Sequence, residues 1–121
     1  MKYMLLVYLV EKSFHERSES ERAELLRESV SLANQLHSSA QYFDAAALHP
    51  SWETKCVRMR DGKKIMTDGP FAETHEQLVG YFLIDAHDFN EATEIATRIP
   101  GARFGAVEVR QVMEVDGLPE R

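Results

Sequence analysis

A single cysteine, Cys56, in 121 residues leaves no partner for an intrachain disulfide, and without a CxxC companion it cannot anchor a zinc site. Nothing therefore asks for an oxidising compartment. Basic residues are also in short supply: 14 Lys and Arg stand against 20 Asp and Glu, and the net charge of −6 repels a phosphate backbone. Direct contact with nucleic acid is not expected. Long apolar runs are missing as well. Residues 1–10 are apolar but too short for a membrane span or a signal peptide, and Glu11-Lys12 close them without a small-residue cleavage site. The expectation is a cytoplasmic protein with no membrane partner. A glycine-rich phosphate loop, a GxSxG elbow and an HxH or HExxH cluster are all absent, which leaves no motif for a nucleotide, an elbow serine or a metal. No cofactor is expected.

What remains is an ordinary globular composition, 44% hydrophobic and 28% charged, at a length that suits one core and not two. Residues 1–121 are read as a single domain whose tail, from about residue 116, is frayed. No short-period repeat and no low-complexity linker divides it.

Residues 2–10 are apolar on both alternating faces, as in a strand covered on both sides. Ser18 with Glu21 three residues later is a capping box that opens a helix over residues 19–40. Its apolar stripe, Ala23, Leu26, Val30, Ala33 and Leu36, is expected to pack on the sheet. Residues 42–48 form a second strand. Residues 54–60 and 63–67 flank Asp61-Gly62, a strong hairpin signal, and the hairpin reads as an insertion at the sheet's end. Residues 78–85 are again apolar on both faces. Asp88 and Glu91 cap a second helix that turns Phe89, Ala92, Ala96 and Ile99 inward and stops at Pro100-Gly101. A last strand, residues 106–115, places Val107, Val109, Gln111 and Met113 on one face.

Strand, helix, strand occurs twice, which is the split βαβ or ferredoxin-like plan: an α+β fold with an antiparallel sheet, an inserted hairpin and two helices on one face. The other face of the central strands is left apolar and wants a cover. A second copy is the simplest one. Two sheets packed face to face make a homodimer, a dimeric α+β barrel with a cavity between them.

Several segments resemble the DGPF branch of the YCII-related family. They are Arg60-Asp-Gly-Lys63, Met66-Thr-Asp-Gly-Pro-Phe-Ala-Glu-Thr74, Glu76-Gln-Leu78, Gly80-Tyr81, Ile99-Pro-Gly-Ala-Arg103, Val107-Glu-Val-Arg110 and the opening Met1-Lys-Tyr-Met-Leu-Leu. Together they span nearly the whole chain. The resemblance implies the dimeric α+β barrel and an enzymatic role proposed for the family. It also implies an alternative, because some DGPF-type domains accompany sigma factors of the extracytoplasmic-function kind: a non-catalytic ligand-binding or regulatory module. Where the family pattern commonly has Lys after Glu-Thr, this chain has His75. YCII-like relatives are thought to use a His and Asp pair; its helix His has no secure counterpart here, since His37 lies near the helix end, and the pair is not transferred.

From the residues themselves, Asp68 follows a strand and precedes Gly69-Pro70, a turn that holds its carboxylate at the barrel's rim. Two roles fit: general base, or a cap that accepts backbone N–H bonds. Glu73-Thr74-His75-Glu76 gathers two carboxylates, a hydroxyl and an imidazole. There a His75-centred proton transfer competes with a solvated loop. Asp68 and His75 are the catalytic candidates. Tyr81, by alternation on the face of Val79 and Leu83, can orient a ligand with its hydroxyl or sit satisfied in the core. Tyr81, Phe71 and Glu73 are the substrate-binding candidates, although Phe71, like Trp52, also reads as packing. The function expected is binding of a small organic molecule in the dimer cavity, with cofactor-free acid/base chemistry of lyase or hydrolase type.

Overall fold

The computed structural model describes residues 1–120. Arg121, the last residue of the expected frayed tail, lies outside the described residues. Four strands form one antiparallel sheet: β1 (Lys2–Leu9), β2 (Tyr42–Ala47), β5 (Gln77–Asp85) and β6 (Ala106–Gln111), in the order β2-β5-β1-β6. Strands β1 and β5 take the centre, as their two-faced apolarity predicts. Each of them is followed by a helix, α2 (Glu19–Ser38) between β1 and β2 and α3 (Phe89–Thr97) between β5 and β6. This is the ferredoxin-like α+β arrangement.

Local chemistry sets the boundaries. Ser18 Oγ accepts the Glu21 backbone N–H at 3.1 Å, the N-cap half of the capping box, and donates its own proton to the Glu21 carboxylate at 3.2 Å. Asp88 Oδ1 accepts the Glu91 N–H at 2.9 Å in the same way. In the hairpin of β3 (Lys55–Arg60) and β4 (Lys63–Asp68), Asp61 and Gly62 both have positive φ, 52° and 74°. That is the left-handed pair a two-residue turn requires. The hairpin forms a separate two-stranded sheet.

The core lies between the sheet and the helices. Tyr3, Leu5 and Val7 of β1 and Phe82 and Ile84 of β5 meet Leu32 and Leu36 of α2 and Ala92, Ile95 and Ala96 of α3. Gly105 is required by close approach. A Cβ there would stand 2.0 Å from the Tyr8 carbonyl oxygen, so only glycine lets the chain turn into β6 this close to β1.

Five expectations change. Phe89, expected to face inward, is 48% exposed at the start of α3 and meets Tyr3 edge-on with ring centroids 5.0 Å apart. Residues 11–15, read as part of a polar stretch, form a short helix α1 (Glu11–His15). On α2, Leu32 and Leu36 are the buried pair, whereas Leu26 and Val30 are 52% and 59% exposed. Leu36 and Ala33 of the expected stripe do pack on the core, and the rest of the inward line is rotated toward Leu32, because a 20-residue helix touches a narrow sheet only along part of its apolar arc. The last strand ends at Gln111, with Met113 81% exposed beyond it. Finally, the β1–β5 register shifts between Val7 and Tyr8: Val7 opposes Gly80 and Tyr8 opposes Leu78. The extra residue, Val79, packs with the core, so Tyr81 shares its face with Leu83 and Leu78 and not with Val79.

Candidate functional site

Five residues were singled out as site candidates, and four of them sit on the 68–77 segment. Asp68 ends β4 with its side chain 85% exposed, and its Oδ1 accepts the Lys55 ammonium at 2.6 Å across the hairpin. The neighbouring Gly69 carbonyl accepts the Cys56 thiol at 3.3 Å. Phe71 is 78% exposed, and Glu73 and His75 are exposed as well. In a single chain this loop is thus open to solvent along its length. Its far end is fixed: Gln77 donates from Nε2 to the Thr74 carbonyl, and its Oε1 accepts the backbone N–H of Glu11 at 2.9 Å.

Tyr81, the fifth candidate, is elsewhere and half-buried. Register puts it opposite Leu6 on β1 and Ala46 on β2, on the sheet face that neither α2 nor α3 covers. Along that face run Met4, Leu6 and Tyr8 of β1 with Leu78, Tyr81 and Leu83 of β5, an apolar centre two strands wide. Around it stand Lys2 with Asp85, and Glu108 with Arg110, the latter pair 3.5 Å apart.

The Tyr81 hydroxyl donates to Asp44 Oδ2 at 2.8 Å, and Asp44 Oδ1 accepts the Ala45 backbone N–H at 3.0 Å. Asp44 stands on β2 opposite Leu83, after a register shift between Tyr42 and Asp44 that brings its carboxylate onto the Tyr81 face. A half-buried carboxylate that accepts a phenolic O–H fixes the orientation of that hydroxyl. Chemically the pair can pass a proton: the hydroxyl takes one from a bound molecule while giving its own to the carboxylate.

Sequence reading found Tyr81 but missed Asp44. The available signal was a lone acid inside YFDAAA, where a strand depleted in polar residues has little other use for one. The loop candidates and Tyr81 do not share a strand, and the Asp68 carboxylate is spent on Lys55.

A family model for the YCII-related domain matches residues 1–116. An uncharacterised protein of Rhizobium meliloti (strain 1021) is 32% identical over 112 residues, which cover 91% of this chain and 90% of that protein.

Proposed function

This chain belongs to the YCII-related domain family, and on that premise we propose that it binds a small organic molecule against the open sheet face and moves a proton on it through Tyr81 and Asp44. The observation that carries the reading is the 2.8 Å bond from the Tyr81 hydroxyl to the Asp44 carboxylate in an apolar setting. Polar groups are rare on such a face, and each one there costs desolvation unless it is used. Here two are placed together, between Leu6, Leu83 and Ala46.

The cavity that would enclose the molecule requires a second copy. An apolar centre with a charged rim is the anatomy of a protein interface, and two such faces packed together make a homodimer. The β3–β4 hairpin supports this assembly, because Val57 and Met66 oppose each other on one of its faces and are 59% and 50% exposed. A two-stranded ribbon is marginal by itself, and a neighbouring chain would give those side chains a surface to cover. In such a dimer the 68–77 loop with Asp68, Phe71, Glu73 and His75 would stand at the rim of the shared cavity.

Two conservative variants test the chemistry. Small carbonyl, phenolic and carboxylic compounds would be screened for saturation transfer from the wild-type protein, and every hit repeated on Tyr81→Phe and Asp44→Asn. Hits should lose contact or, where turnover is found, rates should fall by about 10²–10⁴, the usual contribution of a positioned acid or base. Hits that bind and react equally in both variants sink the reading.

A further inference from the structure

On the helix side of the sheet, a cavity of about 600 Å³ opens between α2 and the β2 edge. Its size lies within the range of about 300–1,000 Å³ typical of small-molecule pockets, whereas protein interiors otherwise leave few voids larger than a water. Small residues create it: Ser29 and Ala33 on α2 look across to Ala45 and Ala47 on β2, with Gly80 behind them. Leu26 and Val30, the two α2 residues rotated off the core, are at its mouth. Tyr81 and Ala46 border it, but by register their side chains project from the sheet's other face. The proton-transfer site and this cavity therefore lie on opposite sides of one sheet.

The electrostatics of the wall narrow the occupant. Among the described residues no Lys or Arg lines the cavity itself, and the nearest guanidinium groups, Arg17 and Arg103, stack on Phe104 at one end, 4.2 and 5.4 Å from its ring centroid. Among the described residues the cavity's one carboxylate, Glu11, is buried, and both of its oxygens are taken, Oε2 by the Ser51 backbone N–H at 2.8 Å and Oε1 by the Ser51 hydroxyl. A carboxylate or ammonium held at the end away from Phe104 would lose its hydration and gain no Lys, Arg or free carboxylate as counter-ion. At one end His37 packs against Tyr42 with ring centroids 6.2 Å apart, and Asn34 stands nearby, its amide nitrogen already donating to the Val30 carbonyl at 3.0 Å. At the other end are Phe14, His15 and Phe104. We propose that this cavity is a second binding site, which takes an uncharged, largely apolar small molecule with its one hydrogen-bonding group at the His37 end.

A matched pair of probes reads the claim directly: N-phenylnaphthylamine, which is neutral, and its sulfonated analogue anilinonaphthalene sulfonate. The neutral probe should bind saturably, one per chain, with an affinity independent of salt and tighter than that of the sulfonate. Backbone amide shifts should cluster at Ala33, Ala45 and Val79. In Ala33→Trp, which fills the gap between α2 and β2, its affinity should fall by about tenfold or more. Should Ala33→Trp not fold, as judged by circular dichroism and a thermal melt, Ala47→Leu at the exposed strand edge serves in its place. The proposal is overturned if the sulfonate binds more tightly, if the filled variant binds as wild type does, or if the shifts fall on Met4, Leu6 and Leu83. It is equally overturned if raising the protein concentration expels the probe, because a second copy would then own the groove.

Discussion

Leu5→Ala and Leu6→Lys, one residue apart on the same strand, are expected to damage two different things. Leu5 is fully buried between the sheet and α2, with Leu32 and Leu36 in the same cluster. Truncating it removes transfer energy and leaves a hole, a loss of about 2–5 kcal/mol. Against a total stability of about 5–15 kcal/mol, that is a large share. The urea midpoint should drop with little change in slope, at every protein concentration. Leu6 points to the open face, directly opposite Glu108 on β6. A lysine there can pair with Glu108 within one chain, so the fold is retained with a change of about 1 kcal/mol or less. On a face-to-face dimer the same ammonium would be buried in the apolar centre. Sedimentation should therefore show a dimer for wild type and Leu5→Ala and a monomer for Leu6→Lys, and only the first two should have a melting temperature that rises with concentration. A dimeric Leu6→Lys, or a wild type that is monomeric at micromolar concentration, would falsify the face-to-face assembly.

That contrast rests on a feature legible in the sequence. Residues 2–9 carry no polar alternation, so both faces of β1 had to be covered or exposed at a cost, and the strand order puts β1 in the centre. The caps at Ser18 and Asp88 and the Asp61-Gly62 turn were legible for a similar reason: each is a local event whose partners lie within three or four residues. What escaped is nonlocal. The shift at Val7 and Tyr8 depends on how β1 and β5 pair, and a single extra residue, Val79, reverses the alternation that had assigned it to the Tyr81 face. Asp44 meets Tyr81 across 37 positions of sequence, and no spacing rule links them. The rotation of α2 depends on where the sheet edge falls beneath it, which periodicity alone does not state.

The largest consequence of a polar contact is expected at Glu11, a carboxylate only 4% exposed at the turn from β1 into α1. Its two oxygens hold the backbone N–H and the hydroxyl of Ser51, and its own N–H is held by Gln77. Three segments distant in sequence, β1, the 3₁₀ turn Ser51–Glu53 and the end of the 68–77 loop, are thus tied at one residue. Hydrogen bonds to a charged group contribute about 1.5–3 kcal/mol each, and burying the carboxylate offsets part of that. For Glu11→Ala a net loss of about 1–3 kcal/mol follows, because the Ser51 groups lose their acceptor while no buried charge is left behind. At about 4 °C per kcal/mol for a domain near this size, the melting temperature should fall by several degrees. Glu11→Gln separates charge from shape. Its amide keeps one acceptor for the Ser51 N–H, and the hydroxyl can rotate to accept from the amide nitrogen, so about half the loss should return. The turn that Glu11 pins carries Trp52 over the His15 ring, 5.0 Å between centroids, where His15 lines the helix-side cavity. Glu11→Ala should therefore release the neutral naphthylamine probe faster, with Glu11→Gln in between. If both variants melt and bind as wild type does, Ser51 is held by other contacts and Glu11 is not the tie.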